Sequence, residues 1–154
     1  MTWLFRTLRR SEQGQAVVEL ALALPVLLLI LLGIFDFGRA LNTDNTANHL
    51  ANLGARFAAA GSYPGQEGQT LCQYIDSTAA PSNLKNKLGV VVTEASTRVG
   101  SPVEVHITNN YHWLAFIQDK IKISTGTTTI VGEATMRLEN TANGNLTCSI
   151  PTPS

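Results

Sequence analysis

Residues 16–35 read AVVELALALPVLLLILLGIF, about 20 residues that carry one charge, Glu19. A helix rises about 1.5 Å per residue, so this run matches the roughly 30 Å hydrocarbon core of a bilayer. It is longer than the 7–15-residue apolar region of a secretory signal. Gly33-Ile34-Phe35-Asp36 at its end offers no small-x-small cleavage site. Arg6, Arg9 and Arg10 precede the run, whereas only Arg39 follows it closely. The positive-inside rule then places the N-terminus in the cytoplasm and everything after Arg39 outside it. The competing reading is a removable signal. Pro25 falls inside the run, where it removes one backbone hydrogen bond and bends the helix.

Helical periodicity continues past the membrane length. Phe37, Ala40, Leu41, Ala47, Leu50, Ala51, Gly54, Phe57 and Ala58 recur at steps of three and four. Asn42, Asn45, Asn48, His49, Asn52 and Arg56 take the other side, giving an amphipathic stripe. Asparagine is a poor helix former, so packing has to hold this half. Gly61, Pro64 and Gly65 form the stop signal. A helix over 15–60 is about 69 Å long, and only its first half fits in a bilayer. The second half has to carry a domain.

Beyond the stop, Leu71 to Ile75 reads as a short helix, and Ser82 as the cap of another running to Leu88. The period then changes to two. Val90 and Val92, then Val103, Val105 and Ile107, alternate with polar neighbours, as half-buried strands do. Gly100-Ser101-Pro102 supplies the turn between them. Tyr111 to Ile121 is an apolar connector, and Thr127 to Leu138 a third strand with Ile130, Gly132, Ala134, Met136 and Leu138 on one face. Residues 140–154 form a polar tail. The expected fold class is α+β, pilin-like: a long N-terminal transmembrane-to-amphipathic helix packed on a small antiparallel sheet. The chain divides into a basic leader (1–14), the long helix (15–60, membrane-spanning over 16–35) and a small extracytoplasmic domain (61–154).

The 154 residues have a formal net charge of zero, so no global field draws the chain to nucleic acid. Cys72 and Cys148 both lie in the exported part, where an even count favours a disulfide. Metal binding is the competing reading, but no Cys-x-x-Cys or Cys/His spacing accompanies them. His49, His106 and His112 are scattered, and His112 beside Trp113 reads as a half-buried surface residue. No phosphate-binding glycine loop, Gly-x-Ser-x-Gly or paired zinc histidines occur, and no catalytic constellation or cofactor is expected.

At the cytoplasmic edge of the span stands Gly14-Gln15-Ala16-Val17-Val18-Glu19. Glycine, then glutamate five positions on, then an apolar helix resembles the processing site of type IV prepilins. The resemblance implies that a membrane aspartic peptidase cuts after Gly14, leaving Gln15 first and Glu19 fifth in the mature chain. Glycine lets a backbone extend into a protease cleft without side-chain clash. A carboxylate in apolar surroundings costs about 2.5–3.5 kcal/mol at a bilayer centre and less near its edge, which favours a partner. A neighbouring subunit's new α-amino group is the natural one. The plainer reading makes Glu19 an interfacial residue reaching toward water.

The longer run GQAVVELALALPVLLLILLGIFDFGRAL is similar to the signature of TadE-like proteins, minor pseudopilins of tight-adherence (Flp, type IVb) pilus systems. The matching features are Glu19-Leu20-Ala21, Pro25, the leucine block, Gly33 and Asp36-Phe37-Gly38-Arg39, with Gly54-Ala55-Arg56-Phe57-Ala58-Ala59 closing the helix. The resemblance implies subunit packing through Glu19, Pro25, Asp36 and Arg39. Asp36 and Arg39, one turn apart, also read simply as an ion pair at the membrane edge. The implied partners are other pilin or pseudopilin subunits, the inner-membrane assembly platform, prepilin peptidase and membrane lipid. The implied place is the bacterial inner membrane, single pass, and the implied role is in assembly of an adhesive pilus. An uncut, anchored domain for binding or sensing is the alternative.

Overall fold

Helix α1 runs from Trp3 to Ala60 and is followed by α2 (Leu71–Thr78) and four strands: β1 (Leu88–Glu94), β2 (Pro102–His112), β3 (Thr127–Arg137) and β4 (Cys148–Ile150). This computed structural model describes residues 3–62, 68–79, 84, 87–94, 96–114, 126–140 and 146–153, with side chains from residue 14 onward. The expected α+β class holds: one long apolar N-terminal helix, and a four-stranded antiparallel sheet in the order β3-β2-β1-β4. The helix already includes leader residues from Trp3 onward. Pro64, Gly65 and Ser82 lie outside the described residues, as does the connector from residue 115 to 121.

The chain divides into two compact units after Arg39. Within the first, the apolar run is uncovered, with Leu22 73% and Leu29 68% exposed. One helix here is long and apolar enough to cross a membrane. An exposed apolar patch of this extent is the kind of surface that marks a membrane or subunit contact.

The second unit, from Ala40 onward, has a conventional core. Ala47, Leu50, Ala51, Ala55 and Ala58 of α1 pack with Val90, Val92, Val103, Val105 and Ile107 of the sheet and with Leu71 and Ile75 of α2. Each fully buried Val, Leu or Ile contributes about 1.5–3 kcal/mol. The helix face is built from small residues, so backbone and sheet approach closely. A Cβ on Gly132 would stand 2.6 Å from the Ala47 carbonyl oxygen and 2.7 Å from the Asn48 nitrogen. One on Gly54 would meet Ile75 Cδ1 at 2.7 Å and Val105 Cγ1 at 3.2 Å. Asn42, Asn45, His49, Asn52 and Arg56 are exposed, as the periodicity predicts. Phe37 and Leu41 correct it: expected on the packed stripe, they are 56% and 49% exposed.

Helix α1 ends as its sequence dictates. Gly61 takes the left-handed conformation (φ 67°) that closes helices, and its N–H donates to Ala58 O at 3.1 Å. The Glu139 N–H, just past β3, donates to Ala59 O at 2.8 Å, so a terminal carbonyl is satisfied by the sheet. Helix α2 begins at a capping box: Gln73 N–H donates to Thr70 Oγ1 (3.3 Å), and Thr70 N–H to Gln73 Oε1 (3.0 Å).

The alternating valines form β1 and β2 as expected, and β3 presents the expected face. Gly100 (φ 87°) makes the turn before Pro102, the first residue of β2. That turn is tied to the end of β3: Gly100 N–H donates to Leu138 O (2.7 Å), and Leu138 N–H to Ser101 O (2.9 Å). Two expectations are overturned. Leu88 opens β1, so no helix reaches it; its neighbours are valines whose period is two. The tail contains β4, which pairs with β1 through Val90↔Ile150, Val91↔Ser149 and Val92↔Cys148.

Candidate functional site

The residues singled out near the N-terminus share one side of α1. Gly14, Gln15, Val18, Glu19 and Leu22 border one open, shallow depression on the helix. Nothing lies within 4 Å of where a Gly14 side chain would begin. Glu19 is exposed among exposed apolar neighbours, its carboxylate standing on the surface that a bilayer or another helix would cover. A charge in that position favours a partner over isolation. Pro25 lies within α1, which is assigned as one helix through it.

Asp36 and Arg39 sit in unlike surroundings. Asp36 is 2% exposed, whereas Arg39 is exposed, and both are engaged in polar interactions. A carboxylate that deep is held only where its oxygens are satisfied. Gly33 and Gly38 have open space around them, so among the described residues no contact requires a glycine at either position.

Cys72, in the first turn of α2, is bonded to Cys148 at the start of β4. The bridge fastens α2 to the sheet edge, and Cys72 N–H also approaches Cys148 Sγ at 3.1 Å. With 76 residues of separation, the chain-entropy model assigns the bridge about 4 kcal/mol. Reduction should therefore lower the denaturant midpoint of the unit from Ala40 onward clearly, at unchanged secondary structure. Superimposable unfolding curves with and without reductant would remove that contribution.

The histidines do not converge. His49 and His112 are exposed; His112, expected half-buried, stands at the end of β2 with Nδ1 3.3 Å from Thr127 Oγ1. His106 lies between two carboxylates on the outer sheet face, Nδ1 3.3 Å from Glu133 and Nε2 3.7 Å from Glu104. Sequence spacing shows the Glu104 neighbour but not the cross-strand one, which depends on the register His106↔Glu133. Pairs this exposed contribute little to stability. Among the described residues no group of three His, Cys, Asp or Glu side chains is placed to hold a metal ion.

Residues 14–56 match the model of the family described as TadE-like protein. The matched stretch begins at the Gly14 signal and ends in the small-residue face of α1, so the sheet lies outside it. The similarity read from the motif is borne out over those residues. No curated protein and no solved structure matches the chain. The TadE-like family is pilus-associated and is not an enzyme family.

Proposed function

We propose, with the TadE-like character of residues 14–56 as the premise, that this chain is a minor pseudopilin acting in assembly of a Tad-type pilus. It sits in the inner membrane by a single span, N-terminus inside, with the disulfide-closed α+β unit outside. Its apolar helix serves first as an anchor and then as a packing surface for other pilin helices. The observation that carries this reading is the uncovered helix. From Val17 to Leu41 its large apolar side chains are exposed except Leu32, which is half-buried, while the same helix from Ala47 onward is a packed core element. One half builds a domain, and the other is left for lipid and for neighbouring helices.

Processing after Gly14 by a prepilin peptidase completes the proposal. The bond to be cut lies within α1, so the helix has to open locally for an extended chain to enter the protease. Glycine eases that opening, being about 1 kcal/mol less favourable than alanine in a helix. Mass spectrometry of the protein from cells with an active prepilin peptidase should find Gln15 at the N-terminus. Gly14→Leu should slow cutting on the order of a hundredfold, the scale of loss when a reacting bond is misplaced. A mature chain that still begins at Met1 would sink the processing step.

A further inference from the structure

We propose that the exposed polar line of α1 beyond Ala40, from Asn42 to Arg56, is a parallel, in-register contact with a second copy of this chain. The proposal deepens the pseudopilin reading and rests on it in one respect: copies anchored in one membrane by the same single span all run the same way.

The spacing of that line is the spacing of a helix–helix seam. Asn42, Asn45, His49, Asn52 and Arg56 follow one another at steps of three, four, three and four, and all of them are exposed. That alternation is the heptad pattern, which sets a row of side chains along the side of one helix that meets another. On the opposite side of the helix, at the turn positions facing away from the line, stand Ala47 and Gly54, both buried. Gly132 of β3 lies against Ala47, and Ile75 and Val105 lie against Gly54. The sheet and α2 therefore hold the back of this helix and leave the polar line clear along about 21 Å.

The chemistry of the line suits a copy of itself. An asparagine amide carries both donors and an acceptor, so two of them set face to face satisfy each other. Among the described residues the side-chain polar groups of Asn42, Asn45 and His49 make no hydrogen bond, and Asn52 commits only Nδ2, to Asn48 O at 2.8 Å. From Asn42 to Asn52 the line itself has no carboxylate, lysine or arginine, so like meets like without repulsion. Arg56 closes it, where a long side chain turns its guanidinium out to water. Lysine, glutamate or glutamine would keep an exposed helix soluble with less loss of helix stability, because asparagine is a poorer helix former. At a seam position asparagine does something those residues do not: it fixes register and partner number, at the expense of affinity. A polar seam of about two heptads holds no dimer in dilute solution. Copies confined to one membrane meet at a far higher effective concentration, which is where such a weak, selective contact acts.

Full-length chains with one added cysteine (Asn45→Cys, His49→Cys, Asn52→Cys, Ser77→Cys or Val99→Cys) are purified with the native disulfide intact. Each is reconstituted in phosphatidylethanolamine–phosphatidylglycerol vesicles and treated with a short bismaleimide, which joins free thiols only. Ser77 in α2 and Val99 in the turn after β1 are exposed positions off the line. Expected is a linked dimer for the three α1 variants at several times the yield of the Ser77→Cys and Val99→Cys controls. In mixtures of differently tagged chains, Asn45→Cys should join Asn45→Cys in preference to Asn52→Cys. Adding Asn45→Asp and Asn52→Asp to His49→Cys should cut its dimer roughly tenfold, since like charges set face to face oppose a contact on that scale. Equal yields on and off the line overturn the proposal and make this a hydrated face. A preference for unlike positions overturns it too, because the helices would then be antiparallel or staggered. Monomers throughout, in vesicles from which alkaline carbonate does not extract the protein, overturn this contact and leave the anchored chain intact. Protein that carbonate strips from the vesicles overturns the membrane reading, and this proposal with it.

Discussion

Gly132→Val should destabilise the unit from Ala40 onward by about 3 kcal/mol, the upper part of the range for overpacking a filled interior. The first added carbon would stand 2.6 Å from the carbonyl oxygen of Ala47, and that neighbour is helix backbone, which no rotamer change can clear. Either α1 lifts from β3 or the strand bends, and each opens the core between Ala47, Ala51 and Ile107. In thermal melts of the full chain in detergent, the transition should fall by about 10 °C. Gly38→Ala is the matched control, because open space surrounds that position and alanine is the better helix former. A Gly132→Val protein that melts with the parent would mean that helix and sheet are not seated as described.

The second large effect concerns assembly. Glu19→Ala should abolish piliation while leaving the protein made, inserted and cut as before. Insertion alone gains from the change, since a carboxylate in a membrane helix costs up to about 3 kcal/mol. On the proposed assembly role the charge is needed at one step, to satisfy a neighbour's α-amino group inside a bundle, where an unpaired charge is expensive. Pilus counts and surface attachment measure the outcome, with membrane immunoblots as the check on protein level. Normal pili in this variant would make the glutamate an interfacial residue and favour the anchored-domain reading.

Much of this architecture was legible in the sequence because it rests on local periodicity. The valines of β1 and β2, the small residues of α1 and the Gly61 stop all occupy the roles their spacing predicts. The Thr70-x-x-Gln73 cap was also there to be read, but only the helix body was recognised. Strand β4 was not legible. It is three residues long, lies among prolines and polar residues, and owes its place to pairing with Val90 and Val92, nearly 60 residues earlier. Phe37 and Leu41 were misplaced for a different reason. Periodicity separates apolar from polar, but an apolar side chain destined for lipid or a neighbouring helix has the same chemistry as one destined for a core. The processing and assembly residues were visible only through the Gly14–Glu19 motif, since among the described residues neither has a side-chain contact that would mark it.

The bridge between α2 and β4 also sets an order of events. On the proposed orientation, Cys72 is exported with α2, and β1, β2 and β3 must all follow before Cys148 appears. During that interval the proposed export leaves Cys72 a lone thiol outside the cytoplasm, open to a disulfide with another chain. The outer edge of β1 is equally unpaired until β4 arrives. A single late arrival therefore ends both hazards, so on the proposed orientation a slower passage of the last third of the chain would lengthen them together.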